Sequence, residues 1–178
     1  MAETAENLSF AVSPRGMTRE QFLSQFGGIY ENSDWVALAV LAAGLGPADD
    51  QIRHLGNRMV AIVDAIDDKR KLALLNAHPE LAGKLAINGE LTAGSTLEQA
   101  SAGLDRCSPE EITAFEALNT AYGKKFGHPF IIAVRGLTRN DILATFRRRI
   151  YNDTETEFAA ALNEVHKIAR MRLEMLSG

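Results

Sequence analysis

At 178 residues the chain suits one domain with a sizeable core, and 46% hydrophobic against 24% charged residues is the balance of a folded chain. A formal charge of −4 gives no general attraction to nucleic acid or anionic membranes. Cys107 is the single cysteine, which excludes an intrachain disulfide and a cysteine-based zinc site and fits a reducing cytosol.

Residues 1–14 read as a polar, loosely held extension ahead of one helical domain over 15–178. Glu3 and Glu6 stand where a secretory signal would carry bases. Thr18 is positioned to cap a segment carrying Phe22, Leu23 and Phe26, which Gly27-Gly28 stops. Ser33 is placed to cap the apolar run from Trp35, a run too short and alanine-rich to span a membrane. A longer helix around Gln51 to Ile66 places Ile52, Leu55, Met59, Ile62, Val63 and Ile66 at three- and four-residue steps. Asp67 reads as the cap of the next helix, which Pro79 must stop. Ser95 with Glu98 reads as a capping box. Ser108-Pro109-Glu110-Glu111 is a strong start, with serine at the cap and proline first in the helix; Ile112, Phe115, Leu118, Asn119 and Tyr122 follow. Pro129 to Val134 alone has strand-like composition, and without a partner strand it reads as an extended or irregular buried segment. Thr138, with Asp141 three residues on, opens a helix carrying Ile142, Leu143 and Phe146. The last helix, from Thr154, has Phe158, Leu162, Val165, Ile168, Ala169 and Leu173 on one face, and its basic final turns suit the negative end of the dipole. The expected fold is all-α, a single-domain bundle of about eight helices.

Three polar groups stand out as candidate chemistry. His78 falls where a helix must end, on a backbone fixed by Pro79. It is open to two readings: a C-capping histidine, or an imidazole poised to move a proton near neutral pH. Glu98 either reaches back to the Ser95 amide or, with Gln99, points into a pocket at a helix start. Arg135 follows a largely apolar run. It must snorkel out or meet an acid, or it supplies a planar fork to a substrate carboxylate or urea-like group. The remaining histidines carry less: His54 reads as surface or rim, His166 among Lys167 and Arg170 as solvated, and His128, before Pro129, as pocket-lining. Arg147-Arg148-Arg149 has no interleaved aromatic platform and reads as a solvated face or an acid's partner rather than a nucleic-acid stripe. Met171 and Met175 read as core or interface filler.

Five motifs occur in order: Phe26-Gly27-Gly28-Ile29-Tyr30-Glu31 with Trp35-Val36; Ala77-His78-Pro79-Glu80-Leu81-Ala82-Gly83; Ser95 to Leu104; Leu118-Asn119-Thr120-Ala121-Tyr122; and Lys125 to Gly136. On these the chain resembles the 2-oxo-4-hydroxy-4-carboxy-5-ureidoimidazoline (OHCU) decarboxylase family over about Phe22 to Leu173. Glu80 and His128 stand where many members carry an aspartate and an aromatic residue. The resemblance implies an all-helical, cytoplasmic homodimer that decarboxylates OHCU to (S)-allantoin in urate degradation. No cofactor or metal is expected, because the substrate's ring imine is itself an electron sink. It implies His78 and Glu98 as catalytic residues, and Pro79, Ser95, Gln99 and Arg135 as substrate-binding ones. In those roles His78 is the general acid/base, Glu98 orients it or a ring N–H, and Ser95 and Gln99 bond the ring and ureido edges. Arg135 clamps an oxygen-rich end, and Pro79 fixes the backbone. The expected partner is the small molecule alone, with no nucleic acid and no membrane. The competing readings are a non-catalytic helical interaction module and a different ureido-imidazole lyase or hydrolase on the same scaffold.

Overall fold

Capping chemistry decides where most helices begin. The structure, a computed structural model, describes residues 8–83 and 88–178; among these, eight α-helices are present and the only β-type pairings are two isolated bridges. The helices are α1 (Arg19–Phe26), α2 (Trp35–Ala42), α3 (Ile52–Asp64), α4 (Asp68–Asn76), α5 (Ala93–Ser101), α6 (Pro109–Phe126), α7 (Arg139–Arg149) and α8 (Thr154–Glu174). Thr18, Ser108 and Thr138 each close a reciprocal capping box, and Asp67 accepts the Arg70 amide at 2.9 Å, all as the sequence predicts. The apolar run at Trp35 starts after Asp34 rather than Ser33, and no side chain caps it. No helix among the described residues is long and apolar enough to cross a membrane.

The chain forms one all-α domain whose contacts fall into two compact units, residues 1–74 with 166–178 and residues 75–165. In the first unit, residues 1–7 of the N-terminal extension lie outside the described residues. The remainder of the extension is tied down. The Phe10 N–H donates to Asp50 O and the Ala11 N–H to Leu176 O, both at 3.1 Å, and the Phe10 ring meets Phe26 edge-on. Arg172 reaches Glu31 at 2.8 Å and the Gly28 carbonyl at 2.9 Å.

His166 corrects the sequence reading, because it is buried rather than solvated. Its Nδ1 lies 2.8 Å from the Tyr30 hydroxyl and its Nε2 3.2 Å from Asp64. The carboxylate can only accept, so Nε2 carries the proton and the tyrosine donates to Nδ1. Burial lowers the pKa of this imidazole from its ordinary value, which keeps it neutral. The signal was in the periodicity: position 166 lies on the stripe of Leu162, Val165, Ala169 and Leu173, which outranks the charge of its neighbours in sequence.

The second unit is built on an aromatic core. Phe130 stacks on Phe146 with centroids 3.9 Å apart, and Tyr122 packs edge-on against both. The expected irregular segment from Pro129 to Val134 is there, with residues 130–134 buried and unpaired with any strand. Two of its backbone groups pair with side chains and the Val134 carbonyl accepts the Leu137 N–H. The Ala133 N–H donates to Glu164 Oε2 at 2.9 Å, and the Ile131 carbonyl accepts from Arg149 at 2.8 Å. Arg149 is the buried member of the basic run: it meets the fully buried Glu157 at 2.6 Å and lies over the Phe130 ring. Glu157 also accepts from Tyr122 and from Asn152.

Candidate active site

Two helix ends build the cleft. After α4 ends at Asn76, the His78 N–H donates back to Leu75 O at 3.1 Å and Pro79 prevents further helix. Helix α6 ends on Gly127 in the left-handed region (φ 74°), a conformation open to glycine at little cost, and His128-Pro129 follows. The Asn76 side chain donates to the Gly127 carbonyl at 3.0 Å, so the two ends are pinned together. The result is a cleft of about 380 Å³ lined by His78, Pro79, Glu80, His128 and Pro129, with Asn76, Gly123 and Gly127 completing its wall. Both imidazoles are more than nine-tenths buried. The Pro129 carbonyl, 3.0 Å away, can only accept, so His128 is protonated on Nδ1. Burial moves its pKa down from the ordinary value.

The turn behind His78 is held by side-chain amides. Gln99 Oε1 accepts the Ala82 N–H at 3.1 Å, Gln99 Nε2 lies 3.4 Å from Glu80 O, and Asn119 Nδ2 donates to Leu81 O at 3.0 Å. These bonds support Ala82 at a φ of 48°, which costs a non-glycine residue about 1–3 kcal/mol unless its surroundings impose it. A side chain at Gly83 would place its Cβ 2.8 Å from Glu80 Cβ, so this turn admits only glycine there without movement.

Helix α5 departs from expectation at its start. Thr92, not Ser95, is the N-cap, and its hydroxyl accepts the Ser95 N–H at 3.2 Å. Ser95 therefore stands inside the first turn, and no Ser95–Glu98 capping box forms. Ser95 and Gln99, four residues apart, share the buried face, while Glu98 is half-buried. Gln99 also lines a second cavity of about 410 Å³ with Ala82, Leu91, Leu104, Cys107 and Ile112. Arg135 is exposed, on the turn beside Gly136. The structure thus brings His78, Pro79 and His128 into one cleft and joins Gln99 to it through the 80–82 backbone. Ser95, Glu98 and Arg135 line neither cavity. Residues 84–87, between His78 and Glu98, lie outside the described residues.

Sequence reasoning missed three contributors: Asn76, Asn119 and the left-handed Ala82. Asn119 gave a signal, being an amide on the apolar stripe of α6; Asn76 and Ala82 gave none. His54 is half-exposed at the rim of the other unit, 3.6 Å from Asp49, and Met175 is exposed. Among the described residues no group of three or more His, Cys, Asp or Glu side chains is placed to hold a metal ion.

Fold and site together define a class: an all-α protein presenting two buried imidazoles at a small cleft. The chain belongs to the OHCU decarboxylase family, whose model matches residues 15–174. It is 40% identical over 154 residues to the 2-oxo-4-hydroxy-4-carboxy-5-ureidoimidazoline decarboxylase of Haloferax volcanii, covering 86% of this chain and 88% of that one. It is 37% identical over 158 residues to the uric acid degradation bifunctional protein of Bacillus sp. (strain TB-90); this covers 89% of the chain but spans only 30% of the relative. A crystal structure of (S)-allantoin synthase superposes with a TM-score of 0.68 at 34% identity, covering 90% of this chain and 51% of that one.

Proposed function

We propose that this protein decarboxylates OHCU to (S)-allantoin in urate degradation, acting as a cofactor-independent carboxy-lyase. The observation that carries the reading is His78: a buried imidazole on a proline-fixed backbone, lining a cleft of substrate size in a member of this family. The names of the Haloferax and Bacillus relatives support the substrate and the pathway.

His78 takes the substrate hydroxyl proton as the carboxylate departs. The electron pair left by carbon dioxide forms a double bond to the neighbouring ring carbon and moves the imine pair onto its nitrogen. Protons added to that nitrogen and to one face of that carbon, with the hydroxyl oxygen becoming a carbonyl, give (S)-allantoin. The substrate therefore supplies its own sink. Pro79 keeps the imidazole from swinging with the helix end, and Gln99 fixes the turn behind it. Gln99 and Ser95 bond the ring and ureido amide edges. Glu98 orients the imidazole or a ring N–H, and Arg135 clamps the oxygen-rich end. Its planar fork suits a carboxylate or urea better than a lysine would. The protein works as a homodimer in the cytoplasm, and light scattering should report twice the chain mass.

The test is to generate OHCU in situ from urate and follow the circular dichroism of the allantoin formed. A dextro/laevo-biased signal that grows with protein concentration supports the reading. A racemic product at the uncatalysed rate overturns it.

A further inference from the structure

We infer that His128 contacts the ligand in the His78 cleft, its Nε2 accepting a hydrogen bond from an N–H of the ureido-imidazole. This inference rests on the decarboxylase reading above.

His128 lines the cleft with a ring that can bond a ligand, where a phenyl ring would fill the same space without a polar atom. Its own chain bonds one of the two nitrogens, Nδ1 to the Pro129 carbonyl. That bond fixes the tautomer, so Nε2 is left as a lone-pair acceptor, and His128 makes no hydrogen bond through it among the described residues.

The ring is packed among three aromatic side chains. Tyr122 and Phe158 meet it edge-on with centroids 5.6 and 6.2 Å distant, and Phe126 lies against it at 6.2 Å. Glu157 and Arg149, the charged groups that act on it, are bonded to one another. His128 lines the cleft together with His78, Pro79 and Glu80.

An acceptor at that point selects one edge of the ligand. A ureido or ring N–H is welcome there, whereas a carbonyl or carboxylate oxygen would meet a lone pair. His128 is then a specificity-determining contact opposite the imidazole that moves the proton, and one that orients a substrate rich in N–H groups.

Three variants and one resonance test this. His128→Asn can keep a donor to Pro129 but cannot reach the cleft; His128→Phe keeps the ring and loses both nitrogens; His128→Gln carries an amide oxygen to the Nε2 position. Losing one neutral hydrogen bond should raise the KM for OHCU roughly three- to tenfold in the Asn and Phe variants, with kcat nearly held and partial rescue in Gln. In the full-length, histidine-labelled protein, saturation with (S)-allantoin should shift the His128 Nε2 nitrogen resonance upfield.

A folded His128→Asn variant with wild-type KM and a stationary His128 resonance overturns this inference and leaves the decarboxylase reading intact. A fall in kcat at constant KM overturns it too, since binding would not be what was lost. A wild-type protein that neither turns over OHCU nor binds (S)-allantoin overturns both.

Discussion

His166 and His128 are both buried, yet they sit in opposite chemical situations. His166 has each ring nitrogen bonded within its own chain, to Tyr30 and to Asp64. His128 has one nitrogen bonded to Pro129 and lines a cleft with His78. Burial alone therefore does not mark a functional histidine. An imidazole in mid-helix, with both nitrogens satisfied, fastens the fold, whereas imidazoles placed just past helix ends and fixed by prolines face space that a ligand can enter. The two cases predict different losses on substitution.

The largest effect should fall on His78. His78→Ala is expected to lower kcat by about a hundredfold or more, the range for general acid–base catalysis. Its melting temperature should change little, because a histidine near a helix end contributes about 1 kcal/mol. Steady-state kinetics beside calorimetry checks both halves.

Glu98→Gln comes next. Because Thr92 holds the cap of α5, glutamine at position 98 removes no cap, and melting should be unchanged. If Glu98 orients His78 or a ring N–H, turnover should drop about tenfold or more through the lost charge. Wild-type turnover would return Glu98 to an ordinary helix residue.

His166→Phe should show the reverse pattern. It strands the buried Tyr30 hydroxyl and should cost about 1–3 kcal/mol of stability by denaturant melts, with kcat/KM intact. The same group predicts a pH dependence. Burial lowers the folded-state pKa of both His166 and His128, so the unfolded chain binds more protons below its own histidine pKa. Stability should be fully present above about pH 6.5 and be lost as pH falls from there. In His166→Phe that decline should be shallower, measurable as melting temperature against pH.

The smallest expected effect is none. Exhaustive chelation and dialysis should leave turnover unchanged, since the substrate's imine accepts the electron pair. Loss of activity restored by one particular metal would favour a metal-assisted hydrolase acting on the same ureido-imidazole.

Much of this was legible locally. The caps at Thr18, Asp67, Ser108 and Thr138, the stop at Pro79 and the buried irregular segment after His128 all follow from short-range chemistry that the chain carries with it. The start of α5 was not, because Thr92 and Ser95 are both cap-type residues three apart. The choice went to Thr92, which sends Ser95 and Gln99 to the buried face. Contacts between residues far apart in sequence were also hidden. Nothing around Gln99 announces that its amide holds the backbone of residues 80–82, and Asn119 shows only as an amide on an apolar stripe, with no sign of which backbone it bonds. Nor does the basic run announce that Arg149 alone would turn inward to Glu157. Of the site residues named by resemblance, His78 and Pro79 line one cleft and Arg135 lies exposed on the turn that follows the buried segment.

The central contrast is tested most directly by running wild type, His78→Ala and His166→Phe side by side on OHCU formed in situ, reading the enantiomeric excess of allantoin by circular dichroism. The account predicts that His166→Phe, below its melting temperature, matches the wild-type excess of (S)-allantoin, while His78→Ala falls to the near-racemic product of spontaneous decay. A folded His78→Ala protein that yields the wild-type excess at the wild-type rate would contradict it.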